Sequence, residues 1–153
     1  MHPEEKLRRL GLELEPPRPP VARYVPAVRV GNLLFVSGHG PARGGTIQFI
    51  GKVGREWTLE QGYEAARLTA LNILATVKAS IGDLAKVRRV VKLLGMVNCT
   101  EDFTRQPQVI NGASDLFCEL WGEMGEHARS AVGMQQLPNG MAVEIEAIFE
   151  VAD

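Results

Sequence analysis

Residues 127–151 read HARSAVGMQQLPNGMAVEIEAIFEV, and the fold class depends on how the two halves of this stretch pair. The second half, from Met141 to Val151, alternates apolar and polar residues, which is typical of a strand with one buried face. The preceding LPNG segment (137–140) has turn chemistry, because proline restricts φ and an Asn-Gly pair tolerates positive φ. The pattern predicts a long β-hairpin that carries Arg129 on one strand and Glu144 on the other.

The register of this hairpin sets the distance between Arg129 and Glu144. If Gln136 pairs with Met141, both charged residues point to the same outer face, because side chains alternate along a strand. They are then about four residues apart, or roughly 13 Å along the strand. At that distance the two side chains of one chain cannot both hold one small molecule.

Two interpretations of this outer face remain open. Arg129 can form a diagonal ion pair with Glu146, which would contribute only about 0.2–1 kcal/mol. Alternatively, the small Ala131 and Gly133 and the apolar Ile148 make the face suitable for contact with another protein surface. Since no predicted helix covers this face, either water or a second copy of the chain must do so.

The composition is that of a single globular domain. The chain has 153 residues, of which 45% are hydrophobic and 23% are charged, enough for a core of its own. Its net charge of −1 excludes a global positive field that would attract nucleic acid or an anionic membrane. Cys99 and Cys118 are too few for a disulfide framework, and the sequence has neither an apolar signal core nor an apolar run of about 18 residues. We therefore expect a reduced, cytoplasmic location.

The beginning of the chain divides into an extension and the main domain. Residues 3–10 are predicted to form a short helix that ends at Gly11, and residues 15–20 form a stiff proline-rich arm. We place the domain boundary after residue 20, so that residues 21–153 form the main domain.

Three short strands are predicted at the start of this domain. Residues 24–30 and 33–37 form a hairpin around the Gly31-Asn32 turn. Residues 46–50 form the third strand.

Two amphipathic helices follow these strands. Thr58 and Gln61 have the spacing of a capping box, and Gly82 ends the first helix after a stripe of apolar residues at three- and four-residue steps. The second helix begins near Pro107, a favoured first-turn residue, and ends around Gly122.

Residues 86–97, between the two helices, are nearly continuous in Val and Leu, which predicts a central strand. The element order is then β-β-β-α-β-α-β-β. It defines an α+β fold with one mostly antiparallel or mixed six-stranded sheet and both helices on one face.

Several strings spread over most of the chain together resemble a known family. They are FVSGHGP (35–41), GKVG (51–54), EAARLTALNILATVKASIGDL (64–84), QPQVINGASDLF (106–117), HARSAVGMQQLP (127–138) and VEIEAIFEV (143–151). The combination is similar to the reactive-intermediate deaminases, also called YjgF-like or L-PSP-type proteins. The resemblance implies a chorismate-mutase-like fold, assembled as a barrel-shaped homotrimer with ligand clefts between subunits. It also implies hydrolysis of enamines and imines such as 2-aminoacrylate to 2-keto acids and ammonia, without metal or organic cofactor.

Residue by residue, the resemblance implies that Arg129 binds the substrate carboxylate and that Glu144 positions or activates water. Arginine suits the first role because its planar fork binds both carboxylate oxygens. A carboxylate suits the second because it can take a proton from the attacking water. The same comparison places these further residues at the cleft: Tyr24, Ser37, Gly38, His39, Asn111 and Ala131.

The sequence departs from the best-known branch of the family at two of these positions. Ala131 stands where that branch has a cysteine, which removes any thiol chemistry, and His39 stands where it usually has glutamine. The segment GEMGEH (122–127) also lengthens the connection between Asn111 and Arg129. We therefore expect a divergent subgroup with its own cleft rim.

Other combinations of reactive residues are weaker. Ser37 and His39 are two residues apart on a glycine-rich turn, a spacing that rarely holds a nucleophile and a base in reactive geometry. His2, His39 and His127 lack the spacing of metal ligands, so no metal site is predicted.

Three functions remain open. Hydrolysis of small enamine or imine acids requires both Arg129 and Glu144. A non-catalytic module that binds small carboxylates requires the arginine alone. The ribonuclease or translation-inhibitor activity, after which some relatives in this family were named, is the weakest, because the charge is near neutral and no basic aromatic stripe is present. The expected partners are a small imino or keto acid and two further copies of the chain, without nucleic acid or membrane.

Overall fold

The computed structural model describes residues 1–17, 19–20 and 22–153, which adopt an α+β fold. These residues form a five-stranded mixed sheet, a separate two-stranded ribbon and three α-helices. The strands are β1 (Ala27–Val30), β2 (Leu33–His39), β3 (Ala42–Arg43), β4 (Thr46–Ile47), β5 (Val87–Asn98), β6 (Ala128–Met134) and β7 (Val143–Val151). The helices are α1 (Pro3–Arg9), α2 (Leu59–Ile81) and α3 (Gln106–Trp121). Residues 18 and 21, in the predicted arm and at the predicted domain boundary, lie outside the described residues.

β5 lies inside the sheet, as its apolar sequence predicts. The strand order is β1-β2-β7-β5-β6, so β5 pairs with β7 on one edge and with β6 on the other. Its Val90, Leu93 and Val97 are fully buried. Neighbouring strands are antiparallel except β5 and β6, which are parallel and are connected through α3. A parallel pair needs such a crossover, and it is usually a helix.

The prediction of a long hairpin over residues 127–151 is wrong, because β5 lies between β6 and β7 in the sheet. β6 and β7 pair with opposite edges of β5. The reason lies in β5, a strand of 12 residues with apolar side chains along most of its length, which is more stable with both edges paired than at the border of the sheet. The connection between β6 and β7 instead reaches a distant loop, where Met141 pairs with Ile50.

α2 begins and ends where the sequence predicts. The Thr58 hydroxyl accepts a hydrogen bond from the backbone N–H of Gln61 (3.1 Å), and the Gln61 side chain accepts one from the backbone N–H of Thr58 (2.8 Å). α2 and α3 cover the same face of the sheet, as predicted. They approach closely at Gly112, where a Cβ would lie 2.0 Å from the carbonyl oxygen of Tyr63. Only glycine allows this crossing.

Two parts of the predicted element count are wrong. The predicted third strand shortens to β4, which pairs with β3 across a Gly44-Gly45 turn, so the main sheet has five strands and not six. The described residues form three α-helices and not two, because the predicted N-terminal helix is present and packs on the domain. Leu7 is buried, and the ammonium group of Lys6 donates to the carbonyl oxygen of Leu120 (3.0 Å).

The face of the sheet opposite α2 and α3 carries no helix among the described residues, which confirms the prediction from the element order. Several large apolar side chains on this face are between 38% and 61% exposed in the single chain: Val28, Val30, Leu33, Phe35 and Val132. Ile148 of β7 lies beside Phe35 on the same face. We call this surface the open face. Large exposed apolar side chains grouped on one face are typical of a surface that contacts another protein.

Within the ranges that the structure describes, no helix has both the length and the apolar character that a membrane crossing requires.

Candidate functional site

Five of the predicted site residues meet at one cavity of about 640 Å³, which we call the Glu144 cavity. It is lined by Tyr24, Ser37, Gly38, His39 and Glu144, together with part of the N-terminal arm. β2 and β7 bring most of these residues together, because they are antiparallel neighbours. Their register shifts between Val36 and His39, which interrupts the regular pairing around Gly38.

Glu144 presents its carboxylate to this cavity from the open face of β7. The side chain is half-buried, and it accepts no hydrogen bond from the residues that the structure describes. Burial raises the pKa of the Glu144 carboxyl group above its ordinary value of 4.5, and the negative charge of Glu146 raises it further. A carboxyl group with a raised pKa keeps its proton to a higher pH than an exposed one, which suits a group that must act both as a proton donor and as a proton acceptor.

Space for this carboxylate depends on Gly38. A Cβ at position 38 would lie 2.2 Å from Oε2 of Glu144. Any other residue at position 38 would therefore displace the carboxylate.

Gly38→Ala is expected to move the Glu144 carboxylate with little effect on the fold. The carboxylate is the end of a flexible side chain, so it can rotate away without a shift of the backbone. A displacement of about 1 Å can lower turnover roughly 100-fold. Turnover on an imino acid measures the effect, and an unchanged melting temperature is the control for folding. Wild-type turnover in this variant would show that the position of the carboxylate does not matter.

Ser37 and His39 do not form a nucleophile and base pair. The Ser37 hydroxyl donates to the carbonyl oxygen of Val25 (2.7 Å). His39 Nδ1 donates to the carbonyl oxygen of Ser37 (2.6 Å), so Nε2 accepts from the Thr76 hydroxyl (2.8 Å). Burial lowers the pKa of His39, although its hydrogen bond to Ser37 opposes this shift. His39 is therefore a neutral, doubly bonded part of the cavity wall.

The proline-rich arm forms another wall of the Glu144 cavity. Pro17, Pro19 and Pro20 line it. The arm is tied to the ribbon, because the Glu15 carboxylate accepts a hydrogen bond from the N–H of Gly44 (2.7 Å). Tyr24 was predicted to lie on the first strand. It instead reaches the cavity from the segment between the arm and β1, because β1 begins only at residue 27.

Arg129 belongs to a second cluster, between the edge strand β6 and α3. Its Nη1 donates to Oδ1 of Asn111 (2.8 Å) and to Oγ of Ser114 (3.1 Å). Its Nη2 donates to the carbonyl oxygen of Pro107 (3.4 Å). Burial lowers the pKa of Arg129 and the charge of Asp115 opposes this shift, but a guanidinium stays cationic in proteins. The predicted site residues Arg129 and Asn111 are therefore in direct contact.

The predicted common face for Arg129 and Glu144 is wrong. Arg129 pairs with the buried Leu93, which pairs with the buried Ala147, and these residues point toward the helices. Glu144 is three positions before Ala147, so it points to the open face. The two residues also lie two strands apart, about 10 Å across the sheet. One chain therefore cannot bring both groups to one small molecule.

Ala131 and Gly133 also lie on the helix-covered face and not on the outer surface predicted for them. Ala131 pairs with Gly95 and packs partly against the core. Their positions follow from the parallel pairing of β6, which reverses the face expected from a hairpin. Glu146 and Ile148 do lie on the open face, as predicted.

Ser114 and Thr76 contact site residues, but the sequence-based prediction gives them no role. It considers His127 only as a metal ligand. Helical spacing could have indicated Ser114, three residues after Asn111 on the same side of α3. Strand alternation could have indicated His127, two residues before Arg129. No local signal indicates Thr76, because its contact with the sheet exists only in the folded chain.

In the described part of the chain, His2, Glu4 and Asp83 are the side chains placed close enough together to hold a metal ion. His2 and Asp83 already contact each other (2.9 Å), and no predicted site residue belongs to this group.

Comparisons with known proteins show the family to which the chain belongs. A model of the family described as "YjgF/chorismate_mutase-like, putative endoribonuclease" matches residues 4–144. The crystal structure of Atu1372 from Agrobacterium tumefaciens, a protein of unknown function, is 48% identical with a TM-score of 0.93, covering 98% of this chain and 92% of that one. Protein TCP17 from Trypanosoma cruzi is 44% identical over 146 residues, which is 95% of this chain and 91% of that protein. The structure of RidA from an Antarctic Psychrobacter species is 30% identical with a TM-score of 0.61, covering 89% and 94% of the two chains.

Proposed function

Because this chain belongs to the YjgF/chorismate mutase-like family, we propose that it hydrolyses small enamine or imine acids to 2-keto acids and ammonia. The observation that carries this proposal is the half-buried carboxyl group of Glu144, which lies in the Glu144 cavity and has a raised pKa. No residue that the structure describes donates a hydrogen bond to it. An oriented guanidinium, Arg129, supplies the second group that the reaction requires.

Arg129 binds the substrate carboxylate in this proposal. Its contacts with Asn111 and Ser114 hold the guanidinium before the ligand arrives, which reduces the entropy lost on binding. A charge-assisted, bidentate contact also selects a carboxylate over a neutral group.

Glu144 moves the protons. In its protonated form it supplies a proton to the β-carbon of the enamine, which becomes an iminium ion. As a carboxylate it then takes a proton from the water that attacks the imine carbon. It returns this proton to the nitrogen of the resulting carbinolamine and takes the hydroxyl proton as the C–N bond breaks. One water is consumed, one keto acid and one ammonia are formed, and Glu144 ends in its starting state.

The proposed site is shared between neighbouring copies of the chain. Arg129 and Glu144 point to opposite faces of one sheet, so a second copy must bring one to the other. β6 is an edge strand, and the open face beside Glu144 exposes a large apolar surface. A closed cyclic arrangement uses both surfaces in every copy. We propose the homotrimer that the family resemblance implies, with one shared site at each of its interfaces.

Glu144→Gln is expected to separate catalysis from binding. Glutamine has almost the same shape but cannot exchange a proton, so turnover should fall by about 100-fold or more. Binding of a keto acid should change little, because the contacts of Arg129 are untouched. Ammonia release from an imine generated in place by an amino-acid oxidase measures turnover, and calorimetry with 2-oxobutyrate measures binding. Full turnover in the variant would contradict the proposal, and binding without turnover in the wild type would favour the carboxylate-binding module.

The same variant also tests the raised pKa of Glu144. A raised pKa means that the folded chain holds the proton more tightly than the unfolded chain does. The charged carboxylate therefore lowers the free energy of unfolding as the pH rises above 4.5, the ordinary value. Glu144→Gln should melt at a higher temperature than the wild type at pH 7, and the difference should disappear at pH 3.

A ribonuclease function has less support, because the net charge of −1 offers little attraction for phosphates. Single-stranded RNA incubated with the purified protein should remain intact.

A further inference from the structure

We infer that His127 and Ser114 are positioning residues that hold the Arg129 guanidinium with one defined edge toward the ligand. This inference rests on the proposed binding of a carboxylate by Arg129. It concerns residues that lie behind the arginine and do not touch the ligand themselves.

When His127 is neutral, the hydrogen bonds between these residues have one possible direction. His127 Nδ1 lies 2.6 Å from the carbonyl oxygen of Gly125, which can only accept, so Nδ1 carries the proton. In the neutral ring, Nε2 is then an acceptor. It lies 2.9 Å from the Ser114 hydroxyl, which must donate to it. The oxygen of Ser114 is left to accept from Nη1 of Arg129 at 3.1 Å. The histidine ring therefore orients the Ser114 hydroxyl, and the Ser114 oxygen orients the guanidinium of Arg129.

The surroundings of His127 favour this neutral form. Burial lowers the pKa of His127, the positive charge of Arg129 lowers it further, and the hydrogen bond to Gly125 opposes both effects. The ring packs edge to face against Phe117, with 6.3 Å between the ring centroids. This packing fixes the plane of the imidazole and, with it, the direction of Nε2.

The consequence is a guanidinium with one edge available. Nη1 donates to Asn111 and Ser114, and Nη2 donates to the carbonyl oxygen of Pro107. Among the described residues, no acceptor is found for the hydrogen of Nε. The Nε hydrogen and one hydrogen of Nη2 lie on the same edge of the planar group, which is the geometry that a carboxylate requires for two parallel hydrogen bonds.

A matched pair of variants at position 127 tests the relay. His127→Phe keeps an aromatic ring beside Phe117 but has no acceptor for Ser114. His127→Gln loses the ring but can present its amide oxygen near the position of Nε2. Ser114→Ala removes the relay from the other side and leaves the histidine in place.

We expect His127→Phe and Ser114→Ala to bind 2-oxobutyrate about tenfold more weakly than the wild type, and His127→Gln to bind within about twofold. KM for the imino acid should rise by the same factor, while kcat stays within about twofold. The ¹⁵Nε signal of Arg129 should show faster rotation of the guanidinium in the two weakened variants and not in His127→Gln.

Three results would overturn the inference, and the first two concern the variants. In the first, His127→Phe binds the keto acid as the wild type does and leaves the Arg129 signal unchanged. In the second, all three variants bind the keto acid more weakly and also melt at a lower temperature, which would indicate a purely structural role. Neither result depends on turnover. A protein that binds 2-oxobutyrate through this relay but releases no ammonia would contradict the proposed hydrolysis and leave the inference intact, whereas a wild type that does not bind the keto acid would contradict the inference itself.

Discussion

Arg129→Ala should lower kcat/KM for carboxylate-bearing imino acids by about 10²–10³-fold, which corresponds to roughly 3–4 kcal/mol of lost transition-state stabilisation. The loss is large because a bidentate contact with a cation is removed from a site that the proposed assembly shields from water. The measurement is ammonia release, with the imine generated in place by an oxidase or a dehydratase.

Two further variants sharpen this experiment. Arg129→Lys keeps the charge but cannot bind a carboxylate with a planar fork or serve Asn111 and Ser114 together, so it should recover only a small part of the activity. Arg88→Ala removes an exposed arginine from β5 and should leave turnover unchanged. Wild-type turnover of Arg129→Ala on carboxylate-bearing imines would end the assignment of this residue.

Ile148→Lys is expected to dissociate the assembly and abolish most of the activity, although it touches neither proposed catalytic residue. Ile148 lies on the open face between Phe35 of β2 and Lys92 of β5. A lysine there would bring a charged group into the proposed apolar interface, next to the positive charge of Lys92 and two residues from Glu146 on the same strand. Removal of a charged group from water costs several kcal/mol even when an opposite charge is close, which is enough to separate the copies.

Light scattering measures the mass of the particle, and the ammonia assay measures the consequence for the shared site. Ile148→Val is the matched control, because it keeps an apolar side chain and should remain assembled and active. A wild type that is a monomer in solution would contradict the proposed assembly. An Ile148→Lys monomer with full activity would contradict the shared site.

Both experiments follow from the separation of Arg129 and Glu144, the two halves of the proposed site, which sequence patterns alone could not show. Arg129 and Glu144 were expected on one face because a turn-like segment lies between their strands. The tertiary structure places β5 between them, and the parallel pairing of β6 turns Arg129 toward α3. The conclusion that one chain cannot use both groups survives this correction, but its reason changes. The groups are separated by the sheet itself and not only by a distance along one strand.

The sequence by itself determined most of the local elements and indicated the candidate site residues. The capping box at Thr58, the apolar stripe of α2 and the continuous apolar run of β5 depend on neighbours in the chain, so their periodicity reveals them. The combination of strings along the chain, including the two that contain Arg129 and Glu144, also indicated the family. The tertiary structure alone decided the order of the strands, the face on which Arg129 lies and the contacts of Ser114, His127 and the proline-rich arm. Strand pairing is non-local, because it depends on which strand is stabilised most by neighbours on both edges. A change of partner or direction moves a side chain to the other face of the sheet without any change in the local sequence pattern.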